Sequence, residues 1–334
     1  MLIDDYGWFN FGSHQATPNP EVQTPNLDSL VQDGIELDRA YIFKYCSPSR
    51  CALQTGRNPL QVNVLNDDMV IHNASDPVGG WAGAARNFTG IATKLIAAGY
   101  ATHQIGKWDV GMGSPDHTPR GRGYNTSLIY FFHENDFWDD TSYFTCGNST
   151  IVDLWEHNAN GTEGGARTLN NSWTCSQARQ DNCTYVDDLF LQRVLDVIEA
   201  HDPATPLFLS ITPHGVHTPL EVPQEFLDKF AFIEDPRRRL YAAMVNHVDS
   251  MVGAISAALK AKGMWDNLLW LGSADNGGPI YNNGSAGANN FPLRGGKGSN
   301  FEGGVRVNAW ASGGLIPAAQ RGRKEPGLVA AWDW

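Results

Sequence analysis

Leu268-Leu269-Trp270-Leu271-Gly272-Ser273-Ala274-Asp275-Asn276-Gly277-Gly278 passes from an apolar run straight into an acid, an amide and two glycines. A run of that length bounded by turn residues suits a strand covered on both faces. The same transition recurs along the chain. Met1-Leu2-Ile3 leads into Asp4-Asp5, residues 101–106 lead into Lys107 and Asp109, and residues 206–212 lead into His214 and His217. Residues 35–43 and 305–311 also read as strands. Between the strands the apolar spacing becomes helical. Thr24-Pro25-Asn26 opens a helix with Leu27, Leu30 and Val31 on one face, and Gly34 stops it. Ser47-Pro48 opens another that runs to about Gly56. Further helices are expected over 89–98, over 186–200, and over 237–262, where Leu240, Met244, Val248, Met251, Ile255 and Leu259 form a stripe. This alternation predicts an α/β fold with a mostly parallel sheet flanked by helices. Ligands of such sheets bind outside the carboxyl ends of the strands, so four distant segments are expected to meet at one rim.

Composition narrows the class. The chain has 334 residues, 42% of them hydrophobic and 18% charged, enough apolar matter for a large core and too little charge for a disordered chain. A net charge of −12 argues against general nucleic-acid binding. No apolar run reaches the roughly 18 residues of a membrane helix. N-x-S/T sequons start at Asn73, Asn87, Asn125, Asn148, Asn160, Asn170, Asn182 and Asn283, which favours a secreted or lumenal glycoprotein. Met1 is followed at once by Leu2-Ile3-Asp4-Asp5, with no signal peptide, so the chain is cytosolic or its true start is missing. Residues 132–184, rich in Asn, Thr, Ser, Gly and Asp, read as a long insertion. In an oxidising compartment one disulfide is expected among its Cys146, Cys175 and Cys183. No C-x-x-C pair occurs, which argues against zinc.

Asp4, Asp5, Asp275 and Asn276 offer carboxylate and amide oxygens, a donor set for a hard cation such as Ca²⁺ or Mg²⁺. Singly each is a turn former, and together at strand ends they read as a metal site. Cys46-Ser47-Pro48-Ser49-Arg50 opens a predicted helix, where exposed N–H groups favour an anion and Arg50 adds a forked donor. Cys46 is either a low-pKa nucleophile or a small buried residue. Lys107 and Lys297 read alone as solvated lysines, and His217 as a loop histidine. His103 and His214 read as structural residues or as supports behind the site, and Cys51 as a buried thiol. The aromatic stretch 130–143 either lines an entrance or packs the insertion.

Residues 46–57, Cys46-Ser47-Pro48-Ser49-Arg50-Cys51-Ala52-Leu53-Gln54-Thr55-Gly56-Arg57, match the C-x-P-x-R signature and T-G-R extension of the type I sulfatases. Asp4-Asp5-Tyr6-Gly7-Trp8, Gly106-Lys107-Trp108, Val216-His217-Thr218-Pro219-Leu220, Asp275-Asn276-Gly277-Gly278, Pro292-Leu293-Arg294-Gly295-Gly296-Lys297 and Glu302-Gly303-Gly304-Val305-Arg306 follow in family order. The chain thus resembles that family, and within it the arylsulfatase B-like group. The resemblance implies an alkaline-phosphatase-like α/β fold and hydrolysis of a sulfated carbohydrate or aryl sulfate. It implies that a formylglycine-generating enzyme converts Cys46 to Cα-formylglycine, whose hydrate attacks sulfur and later expels sulfate through its second hydroxyl. It implies Ca²⁺, with Mg²⁺ as the alternative, held by Asp4, Asp5, Asp275, Asn276 and an oxygen of modified Cys46. Lys107, Lys297 and His217 match the residues that contact the sulfate, His217 also assisting the leaving oxygen, and Arg50 supports the formylglycine. The expected location becomes a secretory or lysosome-like lumen.

Two departures stand out. The family's G-K-W-H-L-G reads Gly106-Lys107-Trp108-Asp109-Val110-Gly111, so Asp109 stands where a histidine is usual. An aspartate has a reference pKa near 3.9 against about 6.5 for histidine. Asp109 is expected to keep a base or orienting role, with His117 as another source of the imidazole. The chain also reads as a catalytic domain, 1–334, cut at both ends and lacking the family's small C-terminal antiparallel subdomain, with a glycosylated insertion at about 132–184. The competing functions are a related phosphodiesterase or phosphonate hydrolase, and a non-catalytic secreted glycan-binding relative.

Overall fold

The computed structural model describes residues 1–334 except 64, 66–70, 140, 147–148, 159–164, 170, 172–174, 176–182 and 281–285. The sequons at Asn148, Asn160, Asn170, Asn182 and Asn283 lie outside the described residues, and Asn73, Asn87 and Asn125 are exposed. In chain order the strands are β1 (Leu2–Ile3), β2 (Ile35–Tyr41), β3 (Ala101–Lys107), β4 (Thr126–Tyr130), β5 (Thr141–Cys146), β6 (Ser149–Val152), β7 (Trp155–His157), β8 (Gly165–Ala166), β9 (Leu207–Thr212), β10 (Trp270–Ala274), β11 (Ala309–Ser312) and β12 (Arg323–Ala330). The residues cluster into two compact units.

Unit one comprises Met1–Lys44, Val194–Ala200 and Gly215–Ala330. Its sheet has the order β1-β10-β11-β2-β12. β1 runs parallel to β10 and β12 parallel to β2, while β11 is antiparallel to both neighbours. The helix Pro25–Gln32 begins with proline at its first position and buries Leu27, Leu30 and Val31. The Asp249 carboxylate, from the helix Pro236–Ala261, accepts hydrogen bonds from Leu27 N (2.8 Å) and from Asn26 N and Nδ2 (3.2 and 2.8 Å). A neighbouring helix thus satisfies amides that helix geometry leaves open. The long helix is itself capped by Asp235, which accepts from Arg237 and Arg238 N. Met244, Val248, Met251, Ile255 and Leu259 of the expected stripe are buried, and Leu240 is half-buried.

Glu36 on β2 is buried and accepts from His14 Nε2 (3.0 Å), Lys324 Nζ (2.7 Å) and Ser13. Burial raises its pKa, but these hydrogen bonds and the His14 charge outweigh that and bring it to about 2. A depressed carboxyl contributes stability above its unfolded pKa and loses it as pH falls toward the folded value. Between about pH 4.5 and 2 the wild type is therefore expected to lose up to about 3 kcal/mol that Glu36→Gln never had. Acid unfolding followed by circular dichroism checks this: the gap between the two proteins should narrow from about pH 4.5 downward and close only near pH 2.

Unit two comprises Tyr45–Arg193, His201–His214 and Ala331–Trp334. Its sheet has the order β8-β7-β4-β3-β9, with β3 parallel to β4 and β9, and β7 antiparallel to β4 and β8. β5 and β6 form a separate hairpin. Gly106 on β3 has φ +100, and a Cβ there would lie 1.9 Å from the Thr212 carbonyl oxygen of β9, so only glycine fits. The expected α/β class holds, with mixed rather than mostly parallel pairing. Residues 132–184 are less loop-like than expected, since β7 and β8 extend the sheet from the free edge of β4. The aromatics of the 130–143 stretch pack inward: Phe131, Phe132, Phe137 and Trp138 are buried, and Phe137 stacks on His214 (3.8 Å) and Tyr185 (5.0 Å). The insertion holds the disulfide Cys175–Cys183, while Cys46 and Cys51 are reduced and buried. Burial pushes the Cys51 thiol up to about 12, as suits an inert core residue. Among the described residues no helix is long and apolar enough to cross a membrane.

Candidate active site

In unit one, β1 and β10 pair in parallel register, Leu2 beside Ser273 and Ile3 beside Ala274. Asp4-Asp5 and Asp275-Asn276 therefore leave the sheet side by side at its carboxyl edge. Asp275 N donates to the Ile3 carbonyl (3.1 Å) and Asp5 N donates to Asp275 Oδ1 (3.2 Å). All four side chains are buried. Asp5 has φ 53, a left-handed backbone that costs a non-glycine residue about 1–3 kcal/mol. The surroundings hold it there: the Tyr241 hydroxyl donates to the Asp5 carbonyl (2.7 Å) and accepts from Gly7 N (3.0 Å). Tyr241→Phe removes both bonds from a buried place and is expected to cost about 1–3 kcal/mol per group left unpaired. A urea titration would show it as a lower midpoint with an unchanged slope.

The Asp5 carboxylate is the hub of this set. Asn276 Nδ2 donates to Oδ1 at 2.7 Å, and Lys297 Nζ lies 2.7 Å from Oδ1 and 2.9 Å from Oδ2. His217 gives its Nδ1–H to the Thr218 carbonyl (2.7 Å), which turns Nε2 toward Lys297 Nζ (2.9 Å) and Asp5 Oδ2 (3.6 Å). Burial raises the Asp5 pKa, but the Lys297 and His217 charges outweigh this and the nearby Asp275, so the carboxyl lies below its usual value. Asp4, Asp5 and His217 each offer a ligand atom, all within 4.8 Å of one another. The six predicted residues of this unit thus form one cluster.

In unit two the helix Cys46–Thr55 starts at Cys46, with extended Tyr45 before it and no side-chain cap, and ends at Gly56 in the left-handed conformation. Cys46, Ser47 and Arg50 are buried. Arg50, one turn in, donates to the Lys107 carbonyl at 3.2 Å, tying the helix to the end of β3. Lys107 and Asp109 are fully buried, with Lys107 Nζ 3.8 Å from Asp109 Oδ2. Asp109 also has φ 53, so the strand end is bent sharply. Ser47, next to Cys46, donates its hydroxyl to Asp109 Oδ1 (2.8 Å).

Asp109 Oδ1 also meets Nδ1 of His133, at 3.0 Å. Burial pushes the Asp109 carboxyl up, but His133, Lys107 and Arg50 outweigh it and bring the pKa to about 2. His133 did not figure in the sequence-based site. The available signal was its place directly after Leu128-Ile129-Tyr130-Phe131-Phe132, an apolar run ending in a polar residue like the others. His117 sits elsewhere: its Nδ1 pairs with Ser114 Oγ (2.8 Å) and its carbonyl accepts from Trp108 Nε1 (2.9 Å). Burial and nearby Arg122 and Arg86 lower its pKa to about 4.

Comparison with known proteins gives these two clusters a context. The family model described as Sulfatase matches residues 1–326. Mouse (Mus musculus) arylsulfatase J is 31% identical over 336 residues, covering 100% of this chain and 50% of its own length. N-acetylgalactosamine-6-sulfatase of Rattus norvegicus is 28% identical over 313 residues, covering 93% of this chain and 55% of its own. The chain thus spans about half the length of the curated relatives it matches. The crystal structure of Ps i-CgsB in complex with k-i-k-neocarrahexaose superposes with a TM-score of 0.78 at 26% identity, covering 99% of this chain and 68% of that one. The fold class is accordingly alkaline-phosphatase-like α/β. A family model that spans nearly the whole chain, together with these relatives, makes the chain a member of the sulfatase family.

Proposed function

We propose that the chain is the catalytic domain of a sulfuric ester hydrolase acting on a sulfated carbohydrate or an aryl sulfate. The observation that carries this reading is Cys46, buried at the start of a helix that Arg50 ties to Lys107, within a sequence that fits the sulfatase family throughout. Cys46 converted to formylglycine by a maturation enzyme would supply an oxygen nucleophile where the chain otherwise offers a buried thiol.

Asp4, Asp5, Asp275 and Asn276 fit a hard divalent cation. Three buried carboxylates and an amide oxygen are a donor set for Ca²⁺ or Mg²⁺. A bound Ca²⁺ would polarise a sulfate oxygen and template the reacting groups. The chain's own residues do the rest. Lys297 and Lys107 bring positive charge for the sulfate oxygens. His217, whose Nδ1–H is committed to Thr218, presents Nε2 beside Lys297 and would assist the leaving oxygen from there. Arg50 holds the Cys46 helix against β3, and Asp109 accepts a proton from residue 46. Lys107 and Arg50 in unit two and Lys297 in unit one each bring local positive charge that the net charge of −12 does not remove. The exposed sequon asparagines and the Cys175–Cys183 disulfide support a secretory or lysosome-like location.

The test is mass spectrometry of the residue-46 peptide after expression in a host with formylglycine-generating activity, followed by turnover. Aldehyde or hydrate in place of the thiol, with hydrolysis of 4-nitrocatechol sulfate in preference to a bis-aryl phosphate, is expected. Retained cysteine in that host overturns the reading, and preference for the phosphate diester assigns the related phosphodiesterase class.

A further inference from the structure

We propose that His133 is a positioning residue for Asp109, and that the pair does the work that one histidine side chain does where the family carries histidine at position 109. The proposal rests on the hydrolase reading above and adds a residue to it.

Geometry carries the argument. Asp109 is fully buried, and its two oxygens differ. Oδ1 takes the Ser47 hydroxyl at 2.8 Å and His133 Nδ1 at 3.0 Å, with Ser47 Oγ and His133 Nδ1 themselves 3.3 Å apart. Oδ2 has no hydrogen-bond partner among the described residues, and Lys107 Nζ at 3.8 Å acts on it only through charge. Both donors thus lock one oxygen and leave the lone pairs of the other available, and one of these donors, Ser47, is the residue next to Cys46 in sequence. A buried acceptor with no partner is rare in a native fold and marks a place where a further group is expected.

His133 is held to this task. Asp153 accepts Phe131 N at 2.8 Å and Phe132 N at 2.9 Å, and its carbonyl accepts Asn135 Nδ2 at 2.8 Å, so the backbone on both sides of His133 is fixed. β3 and β4 pair in parallel, Lys107 beside Tyr130, which brings the Asp109 and His133 ends to the same edge. With Nδ1–H given to Oδ1, the ring orients the carboxylate as a second partner orients a histidine ligand or base. In the step itself, Oδ2 takes the proton from a hydroxyl of residue 46. The O–H bond breaks with its electron pair left on that oxygen, an Oδ2–H bond forms, and the carboxylate becomes a carboxylic acid.

Two measurements test the pair. In formylglycine-bearing protein, His133→Ala is expected to lower kcat for 4-nitrocatechol sulfate about 10–100-fold with KM within about twofold. His133→Asn, which keeps an N–H at the Nδ1 position, should restore most of the rate. In an Asp109→Asn background His133→Ala should change kcat by less than about twofold, because positioning has nothing left to position. Independently of activity, ¹⁵N-histidine NMR of the unconverted protein should show a protected Nδ1–H resonance, absent in His133→Asn and shifted in Asp109→Asn. An active wild type with an equally active His133→Ala, losses that multiply in the double variant, or a resonance untouched by Asp109→Asn would each overturn this proposal alone. A formylglycine-bearing wild type that hydrolyses no sulfate ester overturns the hydrolase reading, and the NMR result then shows whether the pair exists without it.

Discussion

Cys46→Ala is expected to abolish sulfate-ester turnover, by at least about 10⁴-fold, while leaving the fold intact. The loss follows from the chemistry: alanine cannot be oxidised to an aldehyde, and water must then do what a fixed nucleophile did. The fold should survive because residue 46 is a small buried position in the first turn of a helix, where alanine is well tolerated, so stability should move by no more than about 1 kcal/mol. Cys46→Ser separates nucleophilicity from release. A single hydroxyl can accept a sulfuryl group once but has no second hydroxyl with which to expel it. Intact-protein mass spectrometry after incubation with substrate should show an added SO₃ on the serine variant and none on the alanine variant. Residual turnover by Cys46→Ala above that of a denatured control would place the nucleophile elsewhere.

Asp5→Asn should lower turnover by about 10³-fold and uncouple the protein from calcium. Asparagine matches aspartate in shape and tolerates φ 53, so the change removes charge without disturbing the bend. The Lys297 ammonium then faces a neutral amide at a distance that had suited a carboxylate. In the wild type, chelation should lower the melting temperature and abolish activity, and added Ca²⁺ should restore both by mass action. In Asp5→Asn the melting temperature should respond to neither treatment. An unchanged calcium response in this variant would remove Asp5 from the cation site.

Much of the fold was legible because its signals are local. The helix Val186–Ala200 matches the range read from apolar spacing, and β3, β9 and β10 agree with it to within two residues. The expected strand over 305–311 was less well placed: Glu302–Val305 is a short helix, and β11 starts only at Ala309, where it pairs with β10. β4 was missed, although it is buried at the centre of its sheet. Five residues, the first two of them the polar Thr126 and Ser127, are too short a window for periodicity to decide, and what makes Thr126–Tyr130 a strand is Ala101–Lys107 beside it. With β4 went His133, the residue that Asp109 pairs with.

The amino-acid order by itself determined the family and singled out Cys46, the oxygen donors Asp4, Asp5, Asp275 and Asn276, and the lysines as candidates, because each lies in a short motif whose residue types suit the proposed chemistry. Only the tertiary structure decided which groups compensate which. Asp5 is tied to Lys297 across 292 positions of chain, and Asp109 takes its imidazole from His133 rather than from nearby His117. Motifs report what a side chain can do. Hydrogen bonds and screening charges depend on separations of about 3–4 Å, and for residues distant in sequence those separations are set by strand pairing and burial.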